Sequence, residues 1–211
     1  MPLLARIQQG SATLGIWNVE ETAQELRKLL TSPLSYDAEL SRYKLPKRKI
    51  EYLAARVLLK SLLGEEIFVH YTATGKPYIQ EGGFLSISHS GAYVAVIIHP
   101  SAAVGIDIES YSDKVDTLFP KFMSTEECKP IADYPLIEKR WHYLLHWSSK
   151  ETLYKLLSTQ GIDFRKDFFI PPFERKESGS FSFVYTRTEE HYEVQYLCHK
   201  DFVCTWCIAS L

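Results

Sequence analysis

The stretch Val104-Gly105-Ile106-Asp107-Ile108-Glu109 reads as a strand whose two faces differ in chemistry. Side chains at i and i+2 share a face in an extended chain, so Asp107 and Glu109 project together while Val104, Ile106 and Ile108 take the opposite, buried side. Gly105 lies on the face of the acids without a side chain, which is expected to leave room for a ligand at the backbone. Two carboxylates converging on one spot supply hard oxygen donors. Such donors suit Mg²⁺, which keeps several waters and binds substrate phosphates.

A second segment, Trp147-Ser148-Ser149-Lys150-Glu151 followed by Lys155, adds what two carboxylates lack. Periodicity predicts one helix from Leu136 to Leu157, on which Trp147, Glu151 and Lys155 recur every fourth residue along one stripe with Lys150 beside them. A Glu-Lys pair at this spacing is also common on solvated helix faces, so the combination of the two segments carries the reading rather than either alone.

Together the two segments resemble the signature motifs of the 4′-phosphopantetheinyl transferases, G-[IV]-D-[IVL]-E and W-[ST]-x-K-E-x-x-x-K, at every fixed position. The likeness extends through Gly75-Lys76-Pro77-Tyr78, Ser86-Ile87-Ser88-His89-Ser90-Gly91 and Phe122-Met123-Ser124-Thr125-Glu126-Glu127, covering roughly residues 42 to 175. The resemblance implies transfer of the phosphopantetheine arm of coenzyme A to a serine of an apo acyl or peptidyl carrier protein. Adenosine 3′,5′-bisphosphate would be released, with Mg²⁺ as the metal.

Composition permits this. The chain has 211 residues, 45% of them hydrophobic and 24% charged, enough for a substantial core. A net charge of −2 gives no global field for nucleic acid, so any anion site is local. No apolar run approaches the roughly 20 residues a bilayer span requires, and the first residues lack the pattern of a secretion signal, so a cytoplasmic location is expected. Cys128, Cys198, Cys204 and Cys207 read as reduced thiols rather than a disulfide framework or a zinc site. His142 and His146 stand at helical spacing but lack the Glu of H-E-x-x-H, and are expected to pack or face water.

The chain divides near residue 103 into an N-terminal half, 1–103, and a C-terminal half, 104–211, that carries the metal and catalytic motifs. Pro46 to Leu63 reads as an amphipathic helix that starts at a proline and ends at Gly64. Phe84 to His89, Ala92 to Ile98 and Val104 to Glu109 read as an antiparallel meander. The second half repeats the order: the helix to Leu157, a connection through Pro171-Pro172, then strands over 181–188, 191–199 and 202–209. Leu14-Gly15-Ile16-Trp17 echoes Val104-Gly105-Ile106-Asp107, and Arg56 with Lys60 echoes Glu151 with Lys155, as a degenerate copy would. The fold class is therefore α+β, two similar halves. By resemblance to the long, surfactin-synthetase type of the family, the halves are related by a pseudo-twofold axis, with one site between them in an active monomer.

Chemical need and the resemblance together assign roles. Asp107, Glu109 and Glu151 are expected to hold Mg²⁺; Lys155 to neutralise or protonate the departing bisphosphate; Lys150 and Lys76 to hold phosphate oxygens. Glu127 or Glu151 would take the serine proton, and the sequence does not choose between them. Arg48 and Arg56, with Ser88 and His89, are expected to cradle the 3′-phosphate and adenine of coenzyme A. Two other classes compete: a non-catalytic module of the same fold that binds coenzyme A or a carrier protein, and another Mg²⁺-dependent nucleotide transferase. Three converging carboxylates argue against the first, and the lack of a G-x-x-x-x-G-K-[ST] loop against the second.

Overall fold

The computed structural model describes residues 3–31, 36–80 and 83–209, which fall into two compact units, Met1–Ser101 and Ala102–Leu211. The first unit opens with the hairpin β1 (Leu3–Gln9) and β2 (Ala12–Asn18). Two short helices, α1 (Ala23–Leu29) and α2 (Asp37–Ser41), lead to the long helix α3 (Pro46–Leu63). Then come β3 (His70–Tyr71), β4 (Pro77–Tyr78), β5 (Phe84–Ser90) and β6 (Tyr93–His99). The sheet order is β1-β2-β6-β5-β4-β3, antiparallel throughout. Proline begins α3, where its missing N–H costs nothing, and Gly64 ends it at φ 84°, a left-handed cap that suits glycine.

The second unit runs β7 (Val104–Ser110), α4 (Val115–Leu118), α5 (Thr125–Cys128), α6 (Leu136–Leu157), β8 (Phe168–Phe169), β9 (Ser178–Tyr185), β10 (Glu190–His199) and β11 (Phe202–Ile208). Its sheet order is β7-β11-β10-β9-β8, again antiparallel. Each unit thus follows one plan: a strand, a long helix, and a four-strand meander whose last member returns to pair with the first strand. The first unit adds β1 at the edge. This is the mixed α+β architecture expected of the chain, built twice.

Two sequence expectations change. Residues 84–110 are not a three-strand meander: β5 and β6 pair, but β7 leaves them and pairs with β11, Asp107 opposite Thr205 and Glu109 opposite Val203. Periodicity marks a strand but not its partner. The second change concerns Gly105. A Cβ there would overlap the Thr152 carbonyl oxygen and lie 3.1 Å from Leu156 Cβ, so the space belongs to α6 and not to a ligand. Both faces of β7 are consequently covered, and Asp107 is only 3% exposed.

Gly15 plays the same part under α3, where an added Cβ would stand 2.8 Å from Leu58 Cδ1 and 3.0 Å from Leu62 Cδ2. Anchoring the two units on these glycines matches Leu58 and Leu62 to Thr152 and Leu156. Arg56 then corresponds to Lys150, one residue from the match to Glu151 read in the sequence, and Trp17 stands where the second unit has Asp107.

The aromatic and aliphatic core of each unit lies between its long helix and its sheet. His142 and His146 are buried in the second core, and all four cysteines are free. Among the described residues no helix is long and apolar enough to cross a membrane.

The two glycines give a graded prediction. Gly105→Ala drives a methyl group into helix backbone, which cannot yield, and is expected to cost about 3 kcal/mol or more; Gly15→Ala meets the ends of leucine side chains and should cost about 1 kcal/mol. Urea unfolding of both variants measures the difference, and equal losses would show that backbone contact does not set the spacing of α6.

Candidate active site

Thr205 on β11 seats α6. Its hydroxyl lies 2.9 Å from Ser148 Oγ and 2.7 Å from Thr152 Oγ1, and the Thr152 hydroxyl also donates to the Thr205 carbonyl at 3.0 Å. With Gly105 beneath the same turn, small residues and hydroxyls let the helix lie close to the sheet. That closeness brings the Trp147, Glu151 and Lys155 stripe against the acid face of β7.

The resulting contacts are specific. Trp147 Nε1 donates to Glu109 Oε1 at 2.7 Å, and the indole is packed by Phe122 and Phe164. Lys155 Nζ donates to Asp107 Oδ1 at 2.6 Å and to the Ile106 carbonyl at 3.2 Å. Glu151, one helical turn from each, lies in the field of both strand carboxylates. Burial first, then the charge of Asp107, pushes its carboxyl up to about 7; Lys155 opposes the rise and Glu109 adds to it. Three acids and one ammonium therefore share this face, an excess of negative charge in a half-buried place.

Among the described residues, no group of three or more His, Cys, Asp or Glu side chains stands close enough together to hold a metal ion as placed. The donor chemistry nevertheless fits a hard divalent cation. Asp107, Glu109 and Glu151 are all oxygen donors of the kind Mg²⁺ takes. As the side chains stand, Asp107 is engaged by Lys155 and Glu109 by Trp147.

Glu127 and Lys150 belong elsewhere. Lys150 is wholly buried; its ammonium reaches Glu127 at 2.8 Å and the carbonyls of Phe122 at 2.7 Å, Phe164 at 3.0 Å and Phe168 at 3.0 Å. Glu127 accepts in addition from the Ser124 N–H at 2.7 Å and the Ile170 N–H at 3.0 Å. Burial pulls the Lys150 ammonium below the usual lysine range, and the Glu127 charge opposes that pull. Lys150 is closed off from solvent, while Glu127, though buried, borders a pocket of about 240 Å³ with His142, His146 and Ile170. Lys150 and Glu127 brace α5 and the 164–170 segment against α6, on the side of the helix away from β7.

In the first unit, Arg48, Arg56 and His89 line a single pocket of about 340 Å³ with Tyr43, Tyr52 and Tyr71. The Arg56 guanidinium lies 3.8 Å from the Tyr52 ring centroid and donates to the Tyr71 hydroxyl at 2.8 Å. Gly75 and Pro77 reach the same pocket, and Lys76, whose ammonium burial makes more acidic than usual, sits between them. Ser88 does not join this group. Strand alternation turns it, buried, to the face of β5 opposite His89. Glu51, within the same pocket, was not singled out in the sequence, although its i+3 spacing from Arg48 was there to be read. Tyr52 stands at i−4 from Arg56 and was equally readable, whereas Tyr71, fifteen residues beyond Arg56, left no such signal.

A family model for the 4′-phosphopantetheinyl transferase superfamily matches residues 103–207, which include Asp107, Glu109, Glu127, Lys150, Glu151 and Lys155. The 4′-phosphopantetheinyl transferase HetI of Nostoc sp. is 25% identical over 142 residues, 60% of this chain and 60% of that protein. A phosphopantetheinyl transferase of Thraustochytrium sp. is 37% identical over 76 residues, 31% of this chain and 26% of that protein. The chain thus spans 60% and 26% of the lengths of these curated relatives. Through its second unit, it belongs to the 4′-phosphopantetheinyl transferase superfamily.

The raised Glu151 carboxyl predicts a pH-dependent stability. A folded-state value near 7, above the ordinary carboxylate value of about 4.3, contributes stability that is complete below about pH 4 and lost as pH rises through 7. Glu151→Gln has no charge to desolvate. In metal-free buffer it should therefore gain on the parent between about pH 4 and pH 8, by about 2 kcal/mol once partial exposure is allowed for. Urea titrations at both pH values test this, and an unchanged gap would mean that the carboxyl is not strained.

Proposed function

We propose that the chain transfers the 4′-phosphopantetheine arm of coenzyme A to a serine hydroxyl of an apo carrier protein, releasing adenosine 3′,5′-bisphosphate. The observation that carries this reading is the meeting of Asp107, Glu109, Glu151 and Lys155 where α6 crosses β7, inside the segment that matches the superfamily. Two units of one topology in a single chain favour the long type of that superfamily.

Asp107, Glu109 and Glu151 are assigned to hold Mg²⁺, which when bound neutralises the charge of the pyrophosphate. The serine oxygen attacks the phosphorus that bears the pantetheine arm, and the bond from that phosphorus to the bridging oxygen breaks. Glu151 is assigned the serine proton, directly or through water, since both Glu127 oxygens are already engaged by Lys150, Ser124 and Ile170. Lys155 supplies positive charge, and a proton, to the departing bisphosphate once it leaves Asp107. Trp147 holds Glu109 in place through its indole N–H. The pocket lined by Arg48, Arg56 and His89 is assigned the adenosine end of coenzyme A, and Lys76 its phosphates. Glu127 and Lys150 hold the site together rather than touch substrate.

Incubation with coenzyme A, Mg²⁺ and an apo carrier, followed by mass spectrometry, tests the reading. One phosphopantetheine should appear on one carrier serine with an equal amount of bisphosphate, and Asp107→Ala should lower the rate about a hundredfold or more with the fold unchanged by circular dichroism. If fatty-acid-type and peptide-synthetase-type carriers both stay unmodified while coenzyme A binds, the chain is a binding module instead. Deposition of the nucleotide portion would point to a nucleotide transferase.

A further inference from the structure

Glu51 is an acid among bases. Its carboxylate, 11% exposed, accepts from Arg48 Nη1 at 3.0 Å and lies 3.7 Å from Lys47 Nζ and 3.6 Å from His89 Nδ1. Arg48 Nη1 also meets His89 Nε2 at 3.1 Å. Arg48, Glu51, Arg56 and His89 line one pocket, so this carboxylate is presented to whatever the pocket takes.

The arrangement sits awkwardly with a phosphate monoester. Such a group brings about −1.5 to −2 charges and is repelled by a neighbouring carboxylate. It must also compete for cations that are already engaged. Arg48 is paired with Glu51, and Arg56 is stacked on Tyr52 and bonded to the Tyr71 hydroxyl. Glu51 offsets one of the two guanidinium charges that line the pocket, Arg48 and Arg56, while Lys47 stands beside Glu51 and Lys76 lies between Gly75 and Pro77 at the pocket's edge. The tyrosine walls, in contrast, offer a base flat apolar surface whatever the ribose carries.

We propose that Glu51 is a specificity-determining residue that cancels the pocket's preference for a 3′-phosphate, so that the chain takes dephospho-coenzyme A about as well as coenzyme A. The inference rests on the proposed substrate class and adds which forms of that substrate are accepted.

Calorimetric titration of the full chain with coenzyme A and with dephospho-coenzyme A tests both levels. The wild-type dissociation constants should agree within about threefold. Glu51→Gln should tighten coenzyme A about tenfold and leave dephospho-coenzyme A unchanged, with a gain that shrinks as salt is raised. A wild-type preference for coenzyme A of tenfold or more overturns the inference without any variant, which covers the case of a Glu51→Gln protein that fails to fold. An unaltered ratio in a folded Glu51→Gln protein also overturns it, as does a loss of coenzyme A affinity, which would make Glu51 the organiser of a phosphate fork. If neither ligand binds the wild type at millimolar concentration, the coenzyme A reading itself falls, and this inference with it.

Discussion

The distance between α6 and β7 governs the second unit. At Gly105 a strand backbone runs directly under the Thr152 carbonyl, so close that no larger residue fits without moving one of them. At that separation the buried hydroxyls of Ser148, Thr152 and Thr205 can satisfy one another. Every functional contact that follows depends on this approach. Lys155 reaches Asp107, Trp147 reaches Glu109, and Glu151 is raised first by its burial and then by the charge of Asp107 because the helix cannot stand farther away.

The same helix faces a different problem on its other side. Lys150, one position from Glu151, turns about 100° away from the site and carries its charge into the core. Glu127 and three carbonyls receive it there. A buried ion pair is weak evidence for net stability, yet losing one partner costs about 3–5 kcal/mol because a bare charge is left behind. Its effect is to fix where the segments around Phe122 and Phe164 lie, and those two aromatic residues pack the indole that bonds Glu109. A run of adjacent motif residues thus splits into one set that meets the acids and one that holds the scaffold.

The long elements were legible because periodicity and end signals agree. Pro46 and Gly64 bound α3, and α6 runs from Leu136 to Leu157 as its pattern predicts. The stripe of Trp147, Glu151 and Lys155 was legible for the same reason. What a face meets was not. Gly105 could be placed on the acid side of a strand, but only the tertiary structure says that helix backbone, and not ligand, fills the gap. Lys150 looked like a phosphate contact because its charge is visible in the sequence and its burial is not. The partner strand of β7 is about a hundred residues away, beyond the reach of local pattern.

The central proposal is a cation held by Asp107, Glu109 and Glu151 on the α6 side of β7. Anomalous diffraction from crystals grown with Mn²⁺ and coenzyme A tests it most directly. A manganese peak within coordination distance of oxygens from Asp107 and Glu151, with Lys155 withdrawn from Asp107, is the expected result. Bound coenzyme A with no peak there, or with the peak among other residues, would contradict it.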